Sequence, residues 1–305
     1  MLLRVATNQA NDVIQNLGNT ICFDLFLFCS GAALFHSKKE KSVKSLLRRI
    51  WLLYFAYFIV VILSLLEIRT FTLNELLNYL FLIKLPGYAE FLIAFILYDI
   101  IYFFFKSPIS WISNAFWKVL LAGLLSFVFG SLLANSGLHN SITDLIYGQK
   151  DVTTFPVMQY FIFFLLGLFY SKYKGKGNID IKTISLITII AGWIYLMFFF
   201  FNADFLNMLY RWPPSGLFMV NNFFLIGIFV TAATLLTGFI NRFYLFFRIP
   251  SSYSLHLFYI HLMVLYVLRW IGVGAWVGLS YLVTVILIAS TFIYYYAKAK
   301  FKENK

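Results

Sequence analysis

The sequence predicts an all-α, polytopic integral membrane helix bundle of about nine transmembrane helices with a cytoplasmic C-terminus. Three observations carry this. The 305-residue chain is 62% hydrophobic, 21% aromatic and 12% charged, whereas charged residues make up about 25% of an average soluble domain. Its apolar residues gather in nine runs, most of them close to the roughly 17–25 residues that a bilayer crossing requires. Its basic residues concentrate in alternate gaps between those runs. One series of gaps holds Lys38, Lys39, Lys41, Lys44, Arg48, Arg49, Lys106, Lys118, Lys172, Lys174, Lys176, Lys182, Arg242, Arg248, Lys298, Lys300, Lys302 and Lys305. The other holds only Arg4, Arg69, Lys84, Lys150, Arg211 and Arg269, beside the acids Asp12, Glu67, Glu75, Glu90, Asp144, Asp151 and Asp204. The first series marks the cytoplasmic side.

Taken in order, residues 1–19 form an outer segment and residues 20–35 a span of marginal length. Residues 36–49 (HSKKEKSVKSLLRR) read as a basic cytoplasmic hairpin that can lie along the anionic inner leaflet. Spans follow at 50–66 and 89–105. Between them, 73–88 is broken by Lys84, Pro86 and Gly87, and it fits an outward interfacial or re-entrant helix better than a crossing. Further spans are expected at 119–134, 155–170 and 183–201. Pro213-Pro214 then stops one helix and opens the next at its first turn. Spans at 216–240, 251–269 and 272–296 and a cytoplasmic tail at 297–305 complete a single membrane domain. The expected location is a cell membrane, the bacterial cytoplasmic membrane in particular.

The net charge of +12 would suggest nucleic acid in a soluble protein, but here the basic residues sit at membrane edges and no nucleic-acid partner is expected. Membrane lipid is the partner that composition requires, and self-association into a homo-oligomer is compatible with it. Cys22 and Cys29 lie about two turns apart on one helix, too distant along its axis to bridge. HExxH, CxxC, GxSxG and a phosphate-cradling glycine loop are all missing from the sequence.

An ionisable side chain in hydrocarbon costs roughly 2.5–3.5 kcal/mol on insertion scales, so each one inside a span is a site candidate. Asp24 lies in the first span, Asp99 near the inner end of the third, Asn221 and Asn222 in the seventh, and His256 and His261 in the eighth. Asp99 is close enough to the cytoplasmic edge to reach interfacial water. The two histidines stand about 140° apart around their helix, so they cannot chelate one metal and none is expected. Ser252 and His256 share a face, which allows a nucleophile pair or simply a satisfied serine and imidazole. His261 is a candidate general base or an interhelical hydrogen-bonding group. Asn221 and Asn222 need partners or a polar cavity, and interhelical bonding is their plainer role. Arg211, beside Trp212 and the two prolines, reads as a carboxylate or sugar ligand or as an interface anchor.

Three segments together resemble the transmembrane acyltransferase superfamily, which includes the acyltransferase-three proteins and the heparan-alpha-glucosaminide N-acetyltransferase-like proteins. Asp24-Leu25-Phe26-Leu27-Phe28-Cys29-Ser30-Gly31 is similar to the D-L-F-F-x-x-S-G signature of the family's second helix, with Leu27 for the second Phe. Phe155-Pro156 leading to Gly167, and Arg211 ahead of Pro213-Pro214-Ser215, resemble its later helices. Ser254-Leu255-His256-Leu257-Phe258-Tyr259-Ile260-His261 is similar to its S-x-x-x-Y-x-x-H helix, with Phe258 in place of Tyr.

The resemblance implies transfer of an acyl group, often acetyl, from cytoplasmic acetyl-CoA or another acyl-CoA to a glycan or sugar of the cell envelope. It casts His261, Asp24 and Asn222 as the catalytic set and Arg211, Asn221 and His256 as contacts to the acceptor. Lys38, Lys39, Arg48, Arg49, Lys172 and Lys174 become candidates for the coenzyme phosphates, although pure topology signal explains them equally. The family's essential His comes from its first helix, and residues 1–20 here contain no His. A ten-helix family less its first helix gives nine spans with the N-terminus outside, as the charges require. The alternatives are a non-catalytic acyltransferase-like protein, or a permease or flippase for an envelope precursor. A transporter would be expected to show paired broken helices and more buried charge.

Overall fold

The computed structural model describes residues 23–35, 42–68, 72–85, 90–137, 140–148, 155–174, 181–201 and 214–242, the stretch 289–298, and scattered positions between 260 and 300. The regular elements among the described residues are α-helices, and the chain is a helical bundle: α1 (Phe23–Phe35), α2 (Val43–Ile68), α3 (Leu73–Leu80), α4 (Glu90–Phe104), α5 (Lys106–Ile112), α6 (Phe116–Ala134), α7 (Ser141–Tyr147), α8 (Val157–Lys174), α9 (Ile181–Phe201), α10 (Gly216–Leu235) and α11 (Thr237–Arg242). Residues 289–298 are also helical. Among the described residues, α2, α6 and α10 are long and apolar enough to cross a membrane, and α4 with α5 make a fourth candidate bent by 91° at the break. The expected spans at 251–269 and 272–296 fall largely outside the described residues.

Two compact units divide the chain, residues 1–51 with 90–234 and residues 52–89 with 235–305. In the first, packing follows small residues, because lipid tails are as apolar as a leucine core and only close approach distinguishes a helix neighbour from lipid. A Cβ on Gly31 of α1 would run into the backbone oxygen of Phe164, and one on Gly167 of α8 into that of Phe28. The two helices therefore cross with backbones in contact. Gly123, Ser126 and Gly130 form one stripe of α6 that faces α8: the glycines abut Ile162 and Gln159, and the serine hydroxyl donates to Met158 O at 2.7 Å. Leu121, Leu124, Leu125, Phe129 and Leu132 on its other faces are exposed, as a lipid-facing surface would be. Gly192 of α9 meets Phe224 of α10, and Gly227 of α10 meets Thr188 of α9.

Helix directions follow from these pairings. Phe23 meets Phe155 and Gly31 meets Gly167, so α1 and α8 run parallel. Tyr98 and Tyr102 of α4 pack on α8 in parallel order, while α6 and α8, and α9 and α10, run antiparallel. These are the directions that the alternating charges demand of spans one, three, four, five, six and seven.

Two boundaries differ from the sequence expectation. Residues 43–49, expected in the basic hairpin, are the first two turns of α2, since nothing from Val43 to Ile68 is a proline or glycine that would interrupt a helix. Phe105 breaks the third span, and α5 continues at nearly a right angle with Pro108 in its first turn, where a missing N–H is harmless.

In the second unit, the stretch 73–88 holds a helix only over its first half, the two turns of α3. Thr72 caps its start, accepting from Glu75 N at 3.2 Å. The helix ends at Leu80, before Lys84; Leu82 just beyond it adopts φ 58°, and Ile83 N donates back to Asn78 O at 2.8 Å. The last carbonyls of α3 are capped from α2: Tyr54 donates to Leu80 O at 2.6 Å and Tyr57 to Tyr79 O at 2.9 Å. Lys84 Nζ bonds both oxygens of Glu75, at 2.9 and 3.1 Å.

Gly167→Ala is expected to lower the thermal unfolding midpoint in detergent, by an overpacking cost of ~1–3 kcal/mol. Gly238→Ala, where a Cβ meets nothing within 4 Å, should not lower it. At Lys84, the hydrogen bond that the ammonium donates to Glu75 and then the charge of Glu75 hold its pKa above the usual lysine value. The pair therefore persists at neutral pH and is lost only as pH rises through that raised value. Glu75→Gln should make Lys84 react faster with an amine-acylating reagent at mildly alkaline pH, read by peptide mass spectrometry.

Candidate functional site

The candidate site is built around Phe155-Pro156 and the first turns of α8 that follow, which receive side chains from four other helices and reach the backbone of a fifth. The Phe23 ring of α1 lies 4.0 Å from Phe155 and edge-on to Tyr160 at 5.0 Å. Tyr98 of α4 donates to Val157 O at 2.8 Å, and Ser126 of α6 to Met158 O. Gln159 donates through Nε2 to Tyr147 O of α7 at 2.5 Å. Tyr160 meets Phe218 of α10 edge-on at 6.4 Å. Aromatic rings that interlock at such angles exclude lipid and fix the helix faces.

Polar residues lie among these rings. Asp24, next to Phe23, is 1% exposed and within electrostatic reach of Tyr98. Asn222 stands one turn from Phe218 on the same face of α10 and is likewise 1% exposed. Neither of its amide atoms bonds any described residue. The same holds for Oε1 of Gln159, a residue with no exposure at all. A buried amide costs about 1–3 kcal/mol when unsatisfied, so this part of the bundle is chemically suited to a polar ligand. Interhelical bonding of Asn222, the plainer sequence reading, has no counterpart among the described residues. Asn221 is buried on the neighbouring face.

The basic candidates divide. Arg49 Nε pairs with Asp99 Oδ2 at 2.6 Å. Asp99 is thus not an interfacial carboxylate in contact with water, as the sequence suggested: it is 1% exposed and neutralised by the start of α2, because the unbroken helix brings Arg49 beside α4. Lys172 turns toward α5, donating to Ser110 O at 3.3 Å and to the side-chain oxygen of Asn114. Arg48 is exposed. These cations do not converge on one anion site. Lys38, Lys39, Arg211, His256 and His261 lie outside the described residues, as does the side chain of Lys174.

Sequence reasoning missed Gln159, Tyr98 and Glu90. Gln159 was detectable by the rule that singled out Asn222, a polar side chain inside an apolar run. Tyr98 is one of 20 tyrosines and nothing in its spacing distinguishes it. Glu90 reads as an outward charge and is in fact 2% exposed at the start of α4. The chain matches no family model, no curated protein and no solved structure.

Removing Arg49 strips a buried carboxylate of its guanidinium, and such losses cost up to about 3–5 kcal/mol in a dry interior. With the Arg49 side chain 43% exposed, solvent screening reduces that to roughly 1–2 kcal/mol. Arg49→Ala is expected to lower stability by that amount in detergent unfolding, and Arg49→Ala with Asp99→Asn should recover part of the loss.

Proposed function

We propose that this protein is a nine-span membrane acyltransferase, with N-terminus outside and C-terminus in the cytoplasm, that moves an acyl group from acyl-CoA to an envelope glycan or sugar. The observation that carries the reading is the packing of the two described segments on which the family resemblance rests. Asp24–Gly31 and Phe155–Gly167 lie against each other from the Phe23–Phe155 ring contact to the Gly31–Gly167 crossing. The helix directions in the first unit support the topology.

Acyl transfer needs four things of the chain. A base must take the proton from the acceptor hydroxyl, and His261 has that part by resemblance. The freed oxygen attacks the thioester carbonyl, the carbon–sulfur bond breaks, and the coenzyme leaves as a thiolate that takes up a proton. The negative charge on the carbonyl oxygen needs a donor, and the buried Nδ2 of Asn222 is suited to supply one where water is excluded. Asp24 would hold a partner in place by hydrogen bonding. Arg48, with Lys38 and Lys39, is the basic group left for the coenzyme phosphates, since Arg49 serves Asp99.

Membranes containing the protein and labelled acetyl-CoA should acylate an envelope glycan. Asn222→Ala should lower the rate by roughly 10²–10³, the usual effect of losing one such donor, with unchanged expression and elution. Membranes of the unsubstituted protein that transfer no label to any envelope fraction would overturn the proposal.

A further inference from the structure

The right-angle break after α4 leaves a cleft that acyl transfer does not use. It is open, about 650 Å³ in volume, and lined by Phe104, Lys106, Ser107, Ser110, Trp111 and Asn114. One ammonium group lines it and two more touch residues of its lining. Lys106 is part of the lining, Lys118 sits 3.6 Å from the centre of the Trp111 ring, and Lys172 binds Ser110 and Asn114. No carboxylate is in the lining, and neither Lys106 nor Lys118 forms an ion pair among the described residues. The cleft is therefore strongly cationic and rich in neutral donors, the Ser107 and Ser110 hydroxyls and the Asn114 amide. That chemistry selects a phosphate group.

The rim decides which phosphate. Phe104 and Trp111 are 72% and 59% exposed, and Trp117 beside Lys118 is 61% exposed. Exposed rings next to lysines are the pattern of a membrane interface, where the ring meets acyl chain and the ammonium meets headgroup. A free coenzyme or nucleotide would cover the lysines and leave these rings in water; a phospholipid covers both. We infer that the cleft at α5 binds the headgroup phosphate of an anionic phospholipid, with Lys106, Lys118 and Lys172 around the phosphate and the acyl chains over Phe104 and Trp111. The site lies on the side that the basic gaps mark as cytoplasmic, where anionic lipid is concentrated.

The test uses the full chain in nanodiscs containing equal phosphatidylglycerol and phosphatidylcholine, with retained lipid read by native mass spectrometry. Phosphatidylglycerol is expected to be retained in preference to phosphatidylcholine. Lys106→Gln with Lys118→Gln should reduce that preference by about fivefold per lysine. An undiminished preference in the double variant overturns the inference. Should the double variant elute as aggregate, Lys106→Gln alone decides, because Lys106 is exposed and makes no hydrogen bond that folding would lose; a fivefold fall supports the site and no change overturns it. Amine footprinting identifies the source of the phosphate. Protection of Lys106 and Lys118 by phosphatidylglycerol is expected, whereas protection by free coenzyme A in phosphatidylcholine discs, with none from phosphatidylglycerol, would overturn it.

Discussion

The backbone contact between Gly31 and Gly167 is the constraint on which the first unit depends. Neither position can accept a Cβ, because each would meet a backbone oxygen that no rotamer change can move. With the two helices locked at that crossing and running parallel, the side chains above it are fixed in height. Phe23 is carried to Phe155 and Tyr160, and Asp24 is placed among them rather than toward lipid. Tyr160 then reaches Phe218, which sets the face of α10 that bears Asn222. A single steric fact toward the C-terminal ends of two helices thus bears on which polar groups meet near their N-terminal ends.

The start of α8 can serve as the meeting point because its backbone accepts side-chain hydrogen bonds as well as its own helical ones. Val157 O and Met158 O take Tyr98 and Ser126, and carbonyl oxygens have a second lone pair for such bonds. In hydrocarbon a tyrosine or serine hydroxyl needs an acceptor, so these residues tie α4 and α6 to α8 without burying a charge. Asp99 is buried with a counter-charge, Arg49, beside it. Asn222 and Gln159 Oε1 have no such match among the described residues. A buried amide left unmatched calls for an explanation beyond packing.

Much of this arrangement was legible in the sequence because the bilayer imposes a strong code. Run length placed six helices to within a few residues and missed the first two turns of α2, and the relative directions implied by the lysines for six spans match those of the helix contacts. Asp24 and Asn222 stood out because a polar residue in an apolar run is costly wherever it points. What stayed hidden depended on pairing. Gly31 and Gly167 look like any other glycines until they face one another. Asp99 looks like an edge charge until Arg49 is placed beside it, and nothing in the run itself shows that Glu90 is buried. The bend at Phe105 has no proline or glycine at the break itself, and Pro108, three residues on, is as compatible with a loop as with a new helix.

The residues of the basic gaps show why topology signals and binding groups are not exclusive classes. A positive charge retained on one side of the membrane during insertion must afterwards sit somewhere, and its folded environment is free to use it. Arg49 neutralises Asp99, Lys118 lies over Trp111, and Lys172 braces α5 against the end of α8. Each has a neighbour that a charge placed only for orientation would not require. The same count of lysines that orients the helices therefore cannot measure how many remain for a ligand. Unlike Arg49, Lys118 and Lys172, Lys106 makes no side-chain ion pair, ring contact or hydrogen bond to another described residue, and it stands in the lining of an open cleft. Its charge is solvated by whatever occupies the interface at that point, which in a membrane is the headgroup layer.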